Sequence, residues 1–394
     1  MRKGVLKKAV CRSIDKNREK IIGCAKEVAS KPELGFKEFR ASQLIRSIFS
    51  EMGLHIREGI ALTGVEGALE CSRPGPSLLL MGEMDSVVER ESPIADPVTG
   101  AAHLCGHYLQ VGIMLGAAVG LTYAGVGESL SGRIVFLGTP AEEFIEIHER
   151  LRMKDEGKIH YLGGKQELVR LGYLETVDMA MLIHAHSQLP ERKILFGASR
   201  IGFQAKFIQF RGKASHAGAT PHEGINALNA ACLAMMNIHA QRETFRDEDS
   251  IRVHPVITKG GDVVNVVPAD VRMETYVRGC RTEAIADASA KVDRAVRAGA
   301  DAVGAQVAIR NVPGYLPLVQ NKLMTAIARK NAVSLAGEGA VGEAGFQGGS
   351  TDMGDLSHFL FLRSSFTPEV LAAYSMGQTS RWWIMRPPLF FQQK

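Results

Sequence analysis

The stretch SLLLMGEMD, Ser77 to Asp85, is a short apolar run that ends in acids. Its apolar residues follow one another without alternation, the pattern of a strand buried on both faces. Two later runs have the same form, GRIVFLGTPAEE (132–143) and VDMAMLIHAH (177–186), and each again closes on acids or histidines. Between them, VGIMLGAAVGLTYAG (111–125) and KQELVRLGYL (165–174) read as crossover helices. In an open α/β sheet the ligand site lies beyond the carboxyl ends of the parallel strands. The three polar ends are therefore predicted to meet in one cleft.

Working outward, Ile14 to Met52 shows helical spacing with a Pro-Glu-Leu-Gly break at 32–35, which predicts a helix, a turn and a second helix. The character changes near Phe196. SRIGFQAKFIQFRGK (199–213) alternates as a half-exposed strand does, and GINALNAACLAMMNIHAQ (224–241) is helical. RVHPVITKGGDVVNVVPADVRMETYVRG (252–279) reads as two strands joined at a Gly-Gly-Asp turn. A second helix over 282–300 and a strand over 306–312 complete the order βαββαβ, a ferredoxin-like α+β insert. After Pro317, NKLMTAIARKNAVSL returns the chain to the first body. The expected fold class is α/β: a three-layer α/β/α domain with a mostly parallel sheet over residues 1–197 and 314–394, carrying the insert over 198–313.

With 394 residues, two domains are the prior expectation. Lys and Arg number 47 against 42 Asp and Glu, a net charge of +5, too balanced for a nucleic-acid surface. No apolar run approaches the roughly 18 residues of a membrane span, and the basic start lacks the apolar stretch of a secretory signal. The six cysteines are scattered without regular spacing, as reduced thiols are, so the expected address is the cytoplasm.

The chemistry gathers in a few places. AAHLCGHYLQ (101–110) puts Cys105 two residues from His107 in a Gly-containing turn, and a thiolate becomes a good ligand only beside a metal or a positive charge. TPAEE (139–143) places Glu142 beside Glu143 after the apolar IVFL, where two buried carboxylates repel unless a cation compensates. One can then bind metal while its neighbour faces water as general base. LIHAHS offers His184 or His186 as a further ligand. In the insert, GKASHAGATPHEG carries His216, and Asn265 and Arg278 are donors suited to a carboxylate.

With these motifs assembled, the sequence resembles the aminoacylase, carboxypeptidase G and indole-acetyl-amino-acid hydrolase family of metallo-amidohydrolases, and looks closest to its aminobenzoyl-glutamate hydrolase branch. GEMDSV, HLCGH, TPAEE, MLIHAH, GKASHAGATPHEG, GGDVVNVVP and GGSTDMGDLS carry the likeness in order, from about Ile14 to Ser357. The resemblance implies that Cys105, His107, Glu143 and His184 are metal ligands for two divalent ions, Zn or Mn. It implies Glu142 as general base and Asp85 as the residue that orients a ligand. The insert would form a homodimer in which His216 reaches the partner subunit's cleft to steady the oxyanion, while Asn265 and Arg278 hold the carboxylate of a small N-acyl amino acid. The reaction implied is hydrolysis of the amide of N-acyl or N-aroyl amino acids or dipeptides.

Some residues depart from the family. Tyr108 and Gln110 follow the Cys-Gly-His in place of other residues, and Glu83 stands where many relatives have Asp. Relatives also end with a further His ligand, whereas this chain has no histidine after His358, and its tail shows no strand or helix period. Read one base early, Met376 with Gly377 forces Gly, Trp382 with Trp383 forces Val, and Trp383 with Ile384 forces Asp. Permitted codons elsewhere then give a family-like ending containing L-H-G-A-D-F. The expectation is a frameshift between about Ser357 and Ser365. Two rival readings follow: an impaired, dimeric binding protein or broken gene product, and a thiol hydrolase using Cys105 with His107 as base.

Overall fold

The computed structural model describes residues 3–186 and 194–362, and residues 369–373 as backbone. The chain divides into two compact units, Met1–Ser199 with Val319–Gln347 and Asp355–Lys394, and Arg200–Leu318 with Gly348–Gly354. Among the described residues no helix is long and apolar enough to cross a membrane.

In the first unit three helices, Lys3–Lys16, Arg18–Ser30 and Phe39–Glu51, precede the sheet, so helical structure begins well before Ile14. The Phe39–Glu51 helix buries Ala41, Ile45, Ile48 and Phe49, one stripe at helical spacing. Glu33 caps this helix, its carboxylate accepting the Arg40 and Ala41 N–H groups at 3.0–3.1 Å. Phe49 meets Phe136 with ring centroids 6.4 Å apart, inside a core that includes Val111, Met114, Leu115 and Val119 of the His107–Tyr123 helix. Burying each such side chain contributes about 1.5–3 kcal/mol before the entropy of ordering it is counted.

The main sheet runs His55–Ile60, Gly64–Glu70, Ser131–Thr139, Arg73–Glu83, Met179–His186, Glu369–Ala373, Ile194–Phe196, Val341–Glu343. The three strands expected from the apolar runs are adjacent and parallel. Met81 pairs with Leu137 on one side and Leu182 on the other, and Glu83 pairs with Thr139. Leu79, Met81, Val135, Phe136, Leu137 and Leu182 are all buried, which is why these strands lack alternation. This register brings their carboxyl ends to one edge.

The tail contains a strand that its sequence does not signal. Glu369–Ala373 lies parallel to Met179–His186 and antiparallel to Ile194–Phe196. A strand flanked on both edges needs no period-2 pattern, and EVLAA is too short to reveal any other. The remaining tail, and most positions of the shifted reading frame, lie outside the described residues.

The second unit is a sheet of antiparallel strands in the order Arg252–Val253, Asp270–Gly279, Gly202–Arg211, Gln306–Pro313, with Val256–Lys259 also on Asp270–Gly279. Helices Ala227–Ala240 and Thr282–Asp301 pack their alanines and valines on it, and the Asn226 side chain caps the first by accepting the Leu228 and Asn229 N–H groups. The βαββαβ order is as expected. The tight Gly-Gly-Asp hairpin is not: Val256–Lys259 and Asp270–Gly279 are joined by residues 260–269, a long connection whose Val263 and Val264 point to solvent.

Candidate metal centre

The chemical groups of the first unit sit near the carboxyl end of a strand or at the start of a helix. Glu83 is the last residue of its strand, and Asp85 follows two residues on. Cys105 and His107 flank Gly106, after which the helix His107–Tyr123 starts. Gly106 has φ +88°, and a Cβ there would lie 2.9 Å from that of Ala185, so this turn requires glycine. Glu142 and Glu143 lie in the turn after Ser131–Thr139, beyond Ala141 with φ +51°. They are separated by this turn and not by the pleat of a strand. His184 lies within Met179–His186, and the side chain of His186 is outside the described residues.

His107 is the hub. Its Nδ1 lies 2.9 Å from the Asp85 backbone carbonyl and 3.1 Å from Asp85 Oδ1. Asp85 Oδ2 accepts the Glu143 N–H at 2.9 Å, so one carboxylate ties the histidine to the glutamate turn. With Nδ1 engaged by acceptors, Nε2 is the nitrogen left for a metal. Nε2 faces Glu83 Oε2 at 3.1 Å, Glu142 Oε2 at 3.9 Å and Glu143 Oε1 at 3.9 Å. Cys105 Sγ is 3.6 Å from His184 Nε2, and the two imidazoles stand edge to face at 5.8 Å.

Two sets of donor atoms each fall within 4.8 Å of one another, Cys105 with His107 and His184, and Glu83 with His107 and Glu142. Among the described residues, His107 Nε2 and Glu143 Oε1 are both buried and make no hydrogen bond, Nε2 having only the Glu83 carboxylate at ion-pair distance. An orphaned buried nitrogen among carboxylates is what a cation would satisfy. The sulfur and nitrogen donors suit a borderline ion such as zinc and the carboxylates also a harder one such as manganese, so these residues fit a divalent metal.

Glu83, which in the sequence is only a variant position beside the GEMDSV aspartate, is a member of this group. Its carboxylate is fully buried and takes Lys165 Nζ at 2.5 Å on one oxygen and Gln110 Nε2 at 2.6 Å on the other. Burial alone would raise its pKa, but the Lys165 ammonium and His107 hold it at about 2. Lys165 is itself wholly buried, which nothing in its helical setting announces.

Burial pushes the Cys105 thiol up to about 12. Without a cation beside it, this cysteine is a poor nucleophile at neutral pH, which weighs against the thiol-hydrolase reading. His103, the first histidine of the motif, is buried against Tyr108 and lowered to about 3, chiefly by burial, and belongs to neither donor set.

The second unit holds the other expected residues. His216 Nδ1 accepts the N–H groups of Gly218 at 3.2 Å and Ala219 at 2.9 Å, and its Nε2 lies 3.1 Å from the Asn265 amide. Arg278 is half-buried, its guanidinium over the rings of Phe203 and Tyr276 at 5.1 and 5.3 Å. It donates to Ser350 Oγ at 2.9 Å and to His254 Nε2 at 3.3 Å.

Comparison with known proteins gives this geometry a context. Residues 200–304 match the peptidase dimerisation domain, M20_dimer. The Xaa-Arg dipeptidase of Mus musculus is 28% identical over 367 residues, covering 90% of this chain and 77% of its own length. A chain of the p-aminobenzoyl-glutamate hydrolase of Escherichia coli is 30% identical over 228 residues, 55% of this chain and 48% of its own. Among solved structures, the aminobenzoyl-glutamate utilization protein of Klebsiella pneumoniae superposes with a TM-score of 0.72 at 20% identity, covering 92% of each chain. The YxeP protein of Bacillus subtilis, a dinuclear metal-binding peptidase of the M20 family, superposes with a TM-score of 0.68 at 20% identity, covering 93% of this chain and 91% of its own. The chain is thus a relative of the M20 hydrolases and shares their fold.

Proposed function

We propose that this relative of the M20 hydrolases is a metal-dependent amidohydrolase that cleaves the amide bond of N-acyl or N-aroyl amino acids or dipeptides. The observation that carries the reading is His107 Nε2, buried, without a hydrogen bond among the described residues, and faced by Glu83, Glu142 and Glu143. Cys105, His107, Glu143 and His184 would hold two divalent ions, zinc or manganese. When bound, the metal supplies Lewis acidity that polarises the scissile carbonyl.

The remaining work falls to side chains of this chain. Glu142 takes the proton of the attacking water and delivers it to the leaving amine. Asp85 fixes the tautomer and orientation of His107. His216 Nδ1 accepts two backbone N–H groups, which leaves Nε2, 3.1 Å from the Asn265 side-chain amide, as the nitrogen that would face an oxyanion, the Asn265 amide turning its oxygen toward it when Nε2 donates. In this reading the protein works as a cytoplasmic homodimer through residues 200–304, and His216 of the partner subunit serves each cleft. Arg278, oriented by two aromatic rings, and Asn265 hold the substrate carboxylate.

The test is metal content per protomer together with hydrolysis of a panel of N-acyl amino acids and dipeptides, before and after chelation and metal return. Bound metal with turnover that chelation removes and metal restores is expected. Glu142→Gln should keep its metal and lose turnover by about 100-fold or more. Turnover indifferent to chelation, or no turnover at full metal occupancy, would overturn the reading.

A further inference from the structure

We propose that Glu38 is a positioning residue for catalysis: its carboxylate grips the backbone N–H of Ala141 and so holds the turn that aims Glu142. The inference rests on Glu142 being the general base.

Ala141 precedes Glu142 and has φ +51°, the left-handed region that a residue bearing a Cβ avoids. Such a conformation persists only where its surroundings over-determine it. Both backbone polar groups of Ala141 are held. Its N–H donates to Glu38 Oε1 at 2.7 Å, and its carbonyl accepts the Gly164 N–H at 2.9 Å. Gly164 is part of the same grip, because a Cβ there would lie 1.8 Å from the Pro140 carbonyl oxygen.

Glu38 is equipped for this role. It occupies the N-cap position of Phe39–Glu51, yet its side chain makes no cap bond, and Glu33 caps that helix instead. The Glu38 carboxylate, wholly buried, turns inward, and Thr63 Oγ1 donates to its second oxygen at 2.5 Å. A carboxylate taken out of water is costly, and a helix that needed only a cap would keep it at the surface. The arrangement makes sense if the group serves the turn. Release of Ala141 would let its backbone relax toward negative φ and swing the Glu142 carboxylate away from the site that contains His107.

The experiment compares Glu38→Ala, Glu38→Gln, Ala141→Gly and the double variant Glu38→Ala/Ala141→Gly, with Glu142→Gln as reference. Glu38→Ala should lower kcat by about 100-fold, as an ångström-scale misplacement does, with KM and metal content little changed. Amide hydrogen exchange at Ala141 and Gly164 should speed up at least about tenfold, a readout that does not depend on turnover. Glu38→Gln, which keeps an acceptor oxygen, should recover most of the rate. Ala141→Gly should also recover part of it in the double variant, since glycine adopts the left-handed turn unaided.

If Glu38→Ala does not fold, Thr63→Val removes one of the bonds that aim the carboxylate and is read the same way, with faster exchange at Ala141 and lower kcat expected. Unchanged exchange at Ala141, or kcat within about threefold of the parent while Glu142→Gln is inactive, would overturn the proposal. If Glu142→Gln itself stays active, the functional reading fails, and the exchange data alone decide whether Glu38 holds the turn.

Discussion

Asp85 meets His107 twice, through its backbone carbonyl at 2.9 Å and its carboxylate at 3.1 Å from the same Nδ1. The imidazole can neither flip nor change tautomer without losing one of these contacts. Asp85→Asn should therefore leave the fold intact and weaken metal binding about 10- to 100-fold, as loss of such a supporting acceptor does elsewhere. Metal competition with a chromogenic chelator measures it. Parent-like affinity would mean that Asp85 does not orient the histidine.

Lys165 and Glu83 form an ion pair with both partners wholly buried. Lys165→Met strands the Glu83 carboxylate and should cost about 3–5 kcal/mol in urea unfolding. Pairing it with Glu83→Gln should restore most of that loss, because the double variant buries no unpaired charge. A single variant as stable as the parent would show that Glu83 takes up a proton when its partner is gone.

Cys105 and Cys232 offer an internal comparison. Cys232 is exposed, whereas burial pushes the Cys105 thiol up to about 12. In metal-stripped protein at pH 8, iodoacetamide should label Cys232 at least about tenfold faster than Cys105, as read by peptide mass spectrometry. Rapid labelling of Cys105 with matching loss of a chelator-resistant activity would favour a thiol mechanism.

The fourth prediction concerns pH and stability. Burial, with the nearby charge of Asp85, raises Glu38 from 4.5 to about 7. Between those values the folded chain binds more protons here than the unfolded chain does. The contribution of this group is full below pH 4.5 and is lost as the pH rises through 7. The stability of Glu38→Gln relative to the parent should therefore increase from pH 4.5 to 8, by on the order of 3 kcal/mol. Urea unfolding at pH 4.5, 6 and 8 tests this, and a difference independent of pH would contradict it.

Much of the fold was legible because its central strands are enclosed on both faces. Such strands leave continuous apolar runs, and SLLLMGEMD, GRIVFLGTPAEE and VDMAMLIHAH end in polar residues where the parallel register brings them together. The Cys105, Glu142 and His184 motifs could be read for the same reason, as polar groups placed where burial has just been established. Other features had no local signal. Glu369–Ala373 is strand by virtue of its neighbours on both sides, and Lys165 gives no sign in a short helix that its ammonium is enclosed. Glu38 looks like an ordinary helix-start acid, and only the fold reveals that Glu33 has taken over that duty. The long connection from 260 to 269 escaped because Gly-Gly-Asp is a strong turn signal, and it outweighed the register set by Asp270–Gly279 against Gly202–Arg211.

The position of Glu369–Ala373 also governs the order of assembly during synthesis. Its neighbours, Met179–His186 and Ile194–Phe196, leave the ribosome long before it, and Arg200–Leu318 is made in the interval. The second unit can bury its helices on its own sheet while the first still lacks a strand between two exposed edges. Closing that gap joins segments far apart in the chain, the kind of contact that forms slowly, and unpaired edges invite association with other chains meanwhile. A nascent chain halted shortly before residue 369 should thus hold a finished second unit beside an open, aggregation-prone sheet.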